Sequence, residues 1–113
     1  MSAIPDACAP CRSGDPPLSD DEVVRCLAEV PRWTREGAWI TRRFELPDFR
    51  AALAWINRVG MLAEQHEHHP DVHLTGWNHV ELRLSTHAIG GLSLNDFVLA
   101  RDVDRLARRD GRD

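Results

Sequence analysis

The sequence predicts an α+β fold: a four-stranded antiparallel sheet with three helices on one face, in the order α-β-β-α-β-β-α. Two patterns carry that expectation. Three segments repeat apolar side chains at helical spacing, and the first and last of them open with a capping box. Between them lie two pairs of short segments in which apolar and polar residues alternate, with turn residues in the middle of each pair. A chain of 113 residues suits one domain with a modest core. We place that domain at residues 18–107, after an irregular tail over 1–17 and before a short C-terminal tail over 108–113.

The first 17 residues hold Pro5, Pro10, Gly14, Pro16 and Pro17 and should form no regular element. They carry Cys8-Ala9-Pro10-Cys11, a CxxC pair. No second CxxC completes a four-Cys site and no strand precedes this one, so these read as tail thiols without an assigned function. Ser19-Asp20-Asp21-Glu22 is a capping box that opens the first helix, with Leu18 and Val23 placed to staple it. Val23, Leu27 and Val30, with Val24 alongside, form its apolar stripe, and Pro31 ends it. Trp33-Thr34 reads as a short strand, Arg35-Glu36-Gly37 as a turn and Ala38 to Leu46 as a longer strand. In that strand Ala38, Ile40, Arg42, Phe44 and Leu46 share one face, and Arg42 breaks the face in a way that suggests an edge.

Pro47-Asp48 opens the second helix, which should run to about Gln65 and end before Pro70. Its apolar positions cover much of its girth, as a subunit interface or a central core position requires. Val72 to Thr75 is the third strand, Gly76 to Asn78 its turn, and His79 to His87 the fourth. Val80, Leu82 and Leu84 face the core from that strand. Ser93 caps the last helix, Asp96 completes its box, and Leu92 with Phe97 makes the staple; Phe97, Ala100, Val103 and Leu106 point inward.

Composition narrows the function. The formal net charge is −4, and all 14 cationic residues are Arg. An acidic chain whose nearest basic run, Arg105 to Arg109, is flanked by Asp102, Asp104 and Asp110 lacks the footprint for nucleic acid. No apolar run reaches the length of a membrane span, so no membrane partner is expected. The N-terminus has no basic segment followed by an apolar core, so a cytoplasmic location with reduced thiols is expected.

All six histidines fall between Glu64 and His87. Histidine is the side chain whose ordinary pKa lies near neutrality, so such crowding points to acid–base or metal chemistry. His68 and His69 sit where a helix gives way to an extended segment. Closing the following hairpin brings His87 back toward Pro70, so these imidazoles can line one pocket and divide the roles of general acid and base. Glu64 lies one helical turn before His68 and could hydrogen-bond an imidazole or a polar substrate edge. A metal site competes for the same residues, but His66 and His68 are two apart and no HExxH is present. No metal is expected. His66, His73 and His79 read as surface or strand-face residues.

The run Glu64-x3-His68-His69-Pro70, then Trp77, His87 and Asp96, closely resembles the signature of the pterin-4a-carbinolamine dehydratase family. Ser85-Thr86-His87, Gly91 to Asp96, Leu18-Ser19 and Ile40 to Phe44 extend the resemblance over about residues 18–107. Many members have Trp two residues after the proline, where this chain has Val72. The resemblance implies dehydration of 4a-hydroxytetrahydropterin to quinonoid dihydropterin, in service of an aromatic amino acid hydroxylase, with no cofactor. It assigns acid–base work to His68 and His87, and pterin orientation or a share of the proton work to His69. Substrate contacts would come from Glu64, Trp77, Ser85, Thr86 and Asp96; Asp96 also has its capping task, and a packed aromatic is the other reading of Trp77. A homodimer or homotetramer is implied as well. Relatives of the fold that act as binding or assembly modules supply the alternative reading.

Overall fold

Local chemistry sets each boundary in the computed structural model, which describes residues 2–112. Helix α1 spans Asp20–Leu27 behind a complete Ser19–Glu22 capping box. It stops three residues earlier than Pro31 suggests. Glu29 and Val30 donate to Cys26 and Leu27, three residues back, because the residue before a proline is excluded from the α region and the last turn tightens. Its buried stripe is Val23 and Cys26, with Val30 beyond the end, while Val24 faces solvent.

Strands β1 (Thr34–Glu36) and β2 (Trp39–Glu45) form the first hairpin. Arg35 and Glu36 therefore belong to a strand, and the turn is Gly37-Ala38; Gly37 has φ +62°, which suits glycine. Helix α2 is Phe49–His66, capped by Asp48, whose side chain accepts from Ala51 N at 2.7 Å. Strands β3 (Asp71–Thr75) and β4 (His79–Leu84) make the second hairpin, and α3 is Leu94–Arg109. Among the described residues no helix is long and apolar enough to cross a membrane.

The sheet order is β1-β2-β4-β3, antiparallel throughout. Register places Ile40 opposite Leu84, Arg42 opposite Leu82 and Phe44 opposite Val80, all on the face that the helices cover. Trp55 and Val59 of α2, with Phe97, Val98 and Val103 of α3, complete one continuous core against them.

Arg42 corrects the sequence reading. Its strand is central, not peripheral, and the side chain is only 5% exposed. It reaches through the core to Asp104 of α3 at 2.5 Å, and Trp33 Nε1 donates to the same carboxylate oxygen at 2.8 Å. A buried ion pair is tolerated when both charges are matched and hydrogen-bonded, and it becomes costly when one partner is removed. Replacing Asp104 with Ala should therefore lower unfolding free energy by about 3–5 kcal/mol in urea titration. A loss under about 1 kcal/mol would show that the pair is not what ties α3 to the sheet.

Candidate active site

The site forms where three chain segments meet, and the backbone brings each one there. The first is the end of α2. Glu67 takes a left-handed conformation, φ +52°, and the amides of Glu67 and His68 fold back onto Glu64 and Ala63 carbonyls. This is a Schellman-type ending made without glycine. It swings His68 off the helix axis, and His69 and Pro70 then lead into β3.

The second segment follows β4. The strand stops at Leu84 rather than continuing to His87. Thr86 pairs with Gly91 across a short loop, its amide donating to Gly91 O at 2.9 Å. His87 begins a 3-10 turn, His87–Ile89, inside that loop. The loop is clamped from outside: a Cβ at Gly91 would lie 2.8 Å from Pro17 Cβ, so only glycine admits the proline there. His87 packs edge-on against Trp39, with ring centroids 5.8 Å apart, and its ring has no hydrogen-bond partner among the described residues. Ser85 donates to Ala38 O at 2.6 Å.

The third segment is the first turn of α3. Asp96 is fully buried, and its carboxylate meets three donors. Ser93 N and Thr86 Oγ1 give to Oδ2 at 2.9 and 2.8 Å, and His68 Nε2 lies 2.6 Å from Oδ1. Thr86 spends its single proton on Asp96. The Ser93 hydroxyl, 2.8 Å away, must then donate to Thr86, which orders the whole chain of hydroxyls. An ionised carboxylate is acceptor-only, so His68 must present Nε2–H to it, leaving Nδ1 for a ligand. The carboxylate–imidazole pair thus fixes ring orientation and tautomer, in the manner that a buried aspartate serves a catalytic histidine.

A cavity of about 450 Å³ opens between these segments. His68, His69, Ser85, Thr86 and His87, five of the candidates named above, line it together. Three other candidates lie elsewhere. Asp96 sits beneath the cavity and acts through His68 and the helix cap. Glu64 faces a neighbouring hollow on the α2 side, where it pairs with His69 rather than His68. Trp77 is 61% exposed at the tip of the β3–β4 hairpin, with φ +63°. At about 3.3 Å per residue the five residues of β3 put it roughly 15 Å from the cavity of its own chain.

The structure also adds residues that the sequence reading set aside. His66 lines the cavity and is not a surface residue; its side chain is 16% exposed and its Nε2 lies 2.8 Å from Asp102 Oδ2. Cys8, Ala9, Pro10, Cys11 and Asn95 form a further wall. Among the described residues no group of three or more His, Cys, Asp or Glu side chains is arranged to hold a metal ion.

Known proteins share this arrangement of elements and much of this sequence. Residues 16–106 match the family model described as pterin 4 alpha carbinolamine dehydratase. The chain is 44% identical over 100 residues to a protein of Rubrobacter xylanophilus named "Putative pterin-4-alpha-carbinolamine dehydratase", covering 88% of this chain and 92% of that one. A Chlorobium limicola protein of the same name is 47% identical over 98 residues, 83% and 86% of the two chains. Among solved structures, a transcriptional coactivator/pterin dehydratase from Brucella melitensis superposes with a TM-score of 0.74 at 28% identity, over 80% of this chain and 98% of that one. A pterin dehydratase-like RuBisCO assembly factor of the alpha-carboxysome shares the fold, with a TM-score of 0.53 at 21% identity over 67% and 87% of the chains.

The hydrogen bonds to Asp96 make a stability prediction. Asp96→Ala leaves Ser93 N–H, the Thr86 hydroxyl and His68 Nε2–H without their acceptor in a buried position. It should cost about 2–4 kcal/mol in chemical denaturation, whereas Asp96→Asn, which keeps the volume and part of the cap, should cost about half as much. Equal losses for the two variants would mean that the hydrogen bonds do not set the energy.

Proposed function

Because the chain belongs to the pterin 4 alpha carbinolamine dehydratase family, we propose that it dehydrates 4a-hydroxytetrahydropterin to quinonoid dihydropterin by histidine acid–base catalysis. The observation that carries the proposal is the buried Asp96 carboxylate holding His68 at 2.6 Å in the wall of a cavity that His87 also lines. The reaction breaks the C4a–O bond. The hydroxyl takes a proton and leaves as water, and a ring N–H loses a proton as the C=N bond forms.

His68, with its Nε2 held on the Asp96 carboxylate, turns Nδ1 to the ligand and takes the ring proton there. His87, with the Trp39 ring edge-on against it, supplies the proton to the departing hydroxyl. The product leaves the two imidazoles in exchanged protonation states, and solvent restores them through the open side of the cavity. His69, held by Glu64 at the rim between two hollows, orients the pterin. Ser85 offers backbone groups to its polar edge; the Thr86 amide and carbonyl are spent on the Thr86–Gly91 loop, so Thr86 serves the site through its hydroxyl on Asp96. The chemistry asks for no metal, nucleotide or redox group.

Further expectations accompany this reading. The product would return to a pterin-dependent aromatic amino acid hydroxylase, in the cytoplasm. Phe49, Leu53 and Met61 leave an exposed apolar stripe on α2, which suits a homodimer or homotetramer. A binding or assembly module on the same fold is the other reading, and the ordered Asp96–His68 pair argues for catalysis over it.

The test is the rate at which the purified protein speeds loss of 4a-hydroxytetrahydropterin, generated in situ, over the spontaneous rate. We expect clear acceleration that survives a chelator. His68→Ala should keep the fold, by circular dichroism, and lose about 10²–10⁴-fold in turnover. Unchanged turnover in that variant would remove His68 from the proton transfer, and a well-folded wild type without acceleration would favour the binding module.

A further inference from the structure

The family match begins at residue 16, yet residues well before it help to enclose the cavity. The chain from Ser2 to Cys11 runs as a strap across the α1 end and the first half of α3. Ile4 is buried in the core, and Glu29 holds Ser2 Oγ and Ala3 N at 2.5 and 2.6 Å. Arg101 donates to Pro5 O and Asp6 O at 2.7 and 2.9 Å. At the cavity itself the anchor is Asn95. Its Oδ1 accepts from Ala9 N at 2.9 Å, and its Nδ2 donates to Ala9 O at 2.6 Å and faces Cys11 Sγ at 3.4 Å. The Cys8 thiol reaches Asn95 O at 3.7 Å. One side-chain amide thus pairs with both backbone groups of Ala9, as a neighbouring strand would. A terminal segment fixed at this many points is a structural element rather than a fraying end.

The chemistry of the strap suits a contact surface more than a reacting one. Burial, aided by the nearby Asp102 and Asp96 carboxylates, pushes the Cys8 thiol up to about 11. It stays a neutral thiol at physiological pH and is a poor nucleophile. Across the cavity from the imidazoles, then, stands a wall of proline ring and sulfur. Such a surface favours the face or edge of a flat heteroaromatic ring, because sulfur is polarizable and the proline ring is rigid and apolar.

We propose that the Cys8–Cys11 segment, hung on Asn95, is a binding wall of the substrate site that contacts the reduced pterin through Pro10 and Cys11. The inference rests on the dehydratase reading. The wall takes no part in proton transfer and, as a surface against the unreacting part of the ring, contributes alike to ground-state and transition-state binding. Changes in it should therefore appear in KM and not in kcat.

The full-length protein tests this in two ways. Cys11→Phe places a ring in the cavity and should raise KM for 4a-hydroxytetrahydropterin about tenfold or more while kcat stays within about threefold. In the unaltered protein, alkylation of Cys11 by iodoacetamide, followed by peptide mass spectrometry, should slow at least about fivefold under saturating 7,8-dihydrobiopterin, a pterin with no 4a-hydroxyl to lose. A folded Cys11→Phe variant with KM within twofold of the wild type overturns the wall, and so does alkylation that the pterin leaves unchanged. If Cys11→Phe does not fold, the alkylation result decides. A wild type that fails to accelerate dehydration overturns the dehydratase reading instead, and Cys11 protection then still reports whether this wall meets a pterin.

Discussion

The buried carboxylate of Asp96 is the constraint on which the site depends. Taken alone, a carboxylate with no exposure is expensive, because burial disfavours its charge. Here the amide of Ser93, the cap of α3, offsets that cost together with the helix dipole, and Thr86 and His68 complete the hydrogen bonds. The same atoms therefore do two jobs. They cap a helix, which the fold needs, and they lock an imidazole, which the chemistry needs. His68, Thr86 and Asp96 come from three separate segments, so the site exists only in the folded chain, and disrupting the cap should disturb the site with it.

Behind that node the fold acts as a positioning frame. The antiparallel register of β3 and β4 sets Asp71 against Arg83, which returns the chain after β4 to the end of α2. The left-handed Glu67 turns His68 inward, and Trp39, at the start of β2, backs His87 from the opposite side. The Arg42–Asp104 pair joins β2 to the middle of α3 and so fixes the height of the α3 first turn relative to the sheet. Two carboxylates on one helix, eight positions apart, thus hold the sheet, through Asp104, and the loop after β4, through Asp96.

Much of this was legible in the sequence, for local reasons. Capping boxes at Ser19 and Ser93 and alternation in β4 depend on residues within a few positions of one another, and the elements formed where those patterns stood. What was misread depends on distant partners. Arg42 looked like an edge residue because its partner is 62 positions away. Asp96 read mainly as a cap because His68 is 28 positions upstream, and nothing near His66 announces Asp102. His87 was placed on a strand because Ser85 and His87 continue the alternation of β4. The Thr86–Gly91 bridge ended that strand early. The N-terminal strap was the largest omission: proline-rich segments usually read as loose, and its hold on α3 runs through Asn95 and Arg101, partners 86 to 96 residues away.

The hold of Asp96 on His68 decides whether Nδ1 is free to meet a ligand. Long-range ¹H–¹⁵N NMR of the histidine rings, recorded with and without 7,8-dihydrobiopterin, reports this directly. We expect a proton on His68 Nε2 in both states and a ligand-induced shift at Nδ1. A bare Nε2, or an Nδ1 signal that does not move at saturating pterin, would contradict the claim that Asp96 orients this imidazole toward the substrate.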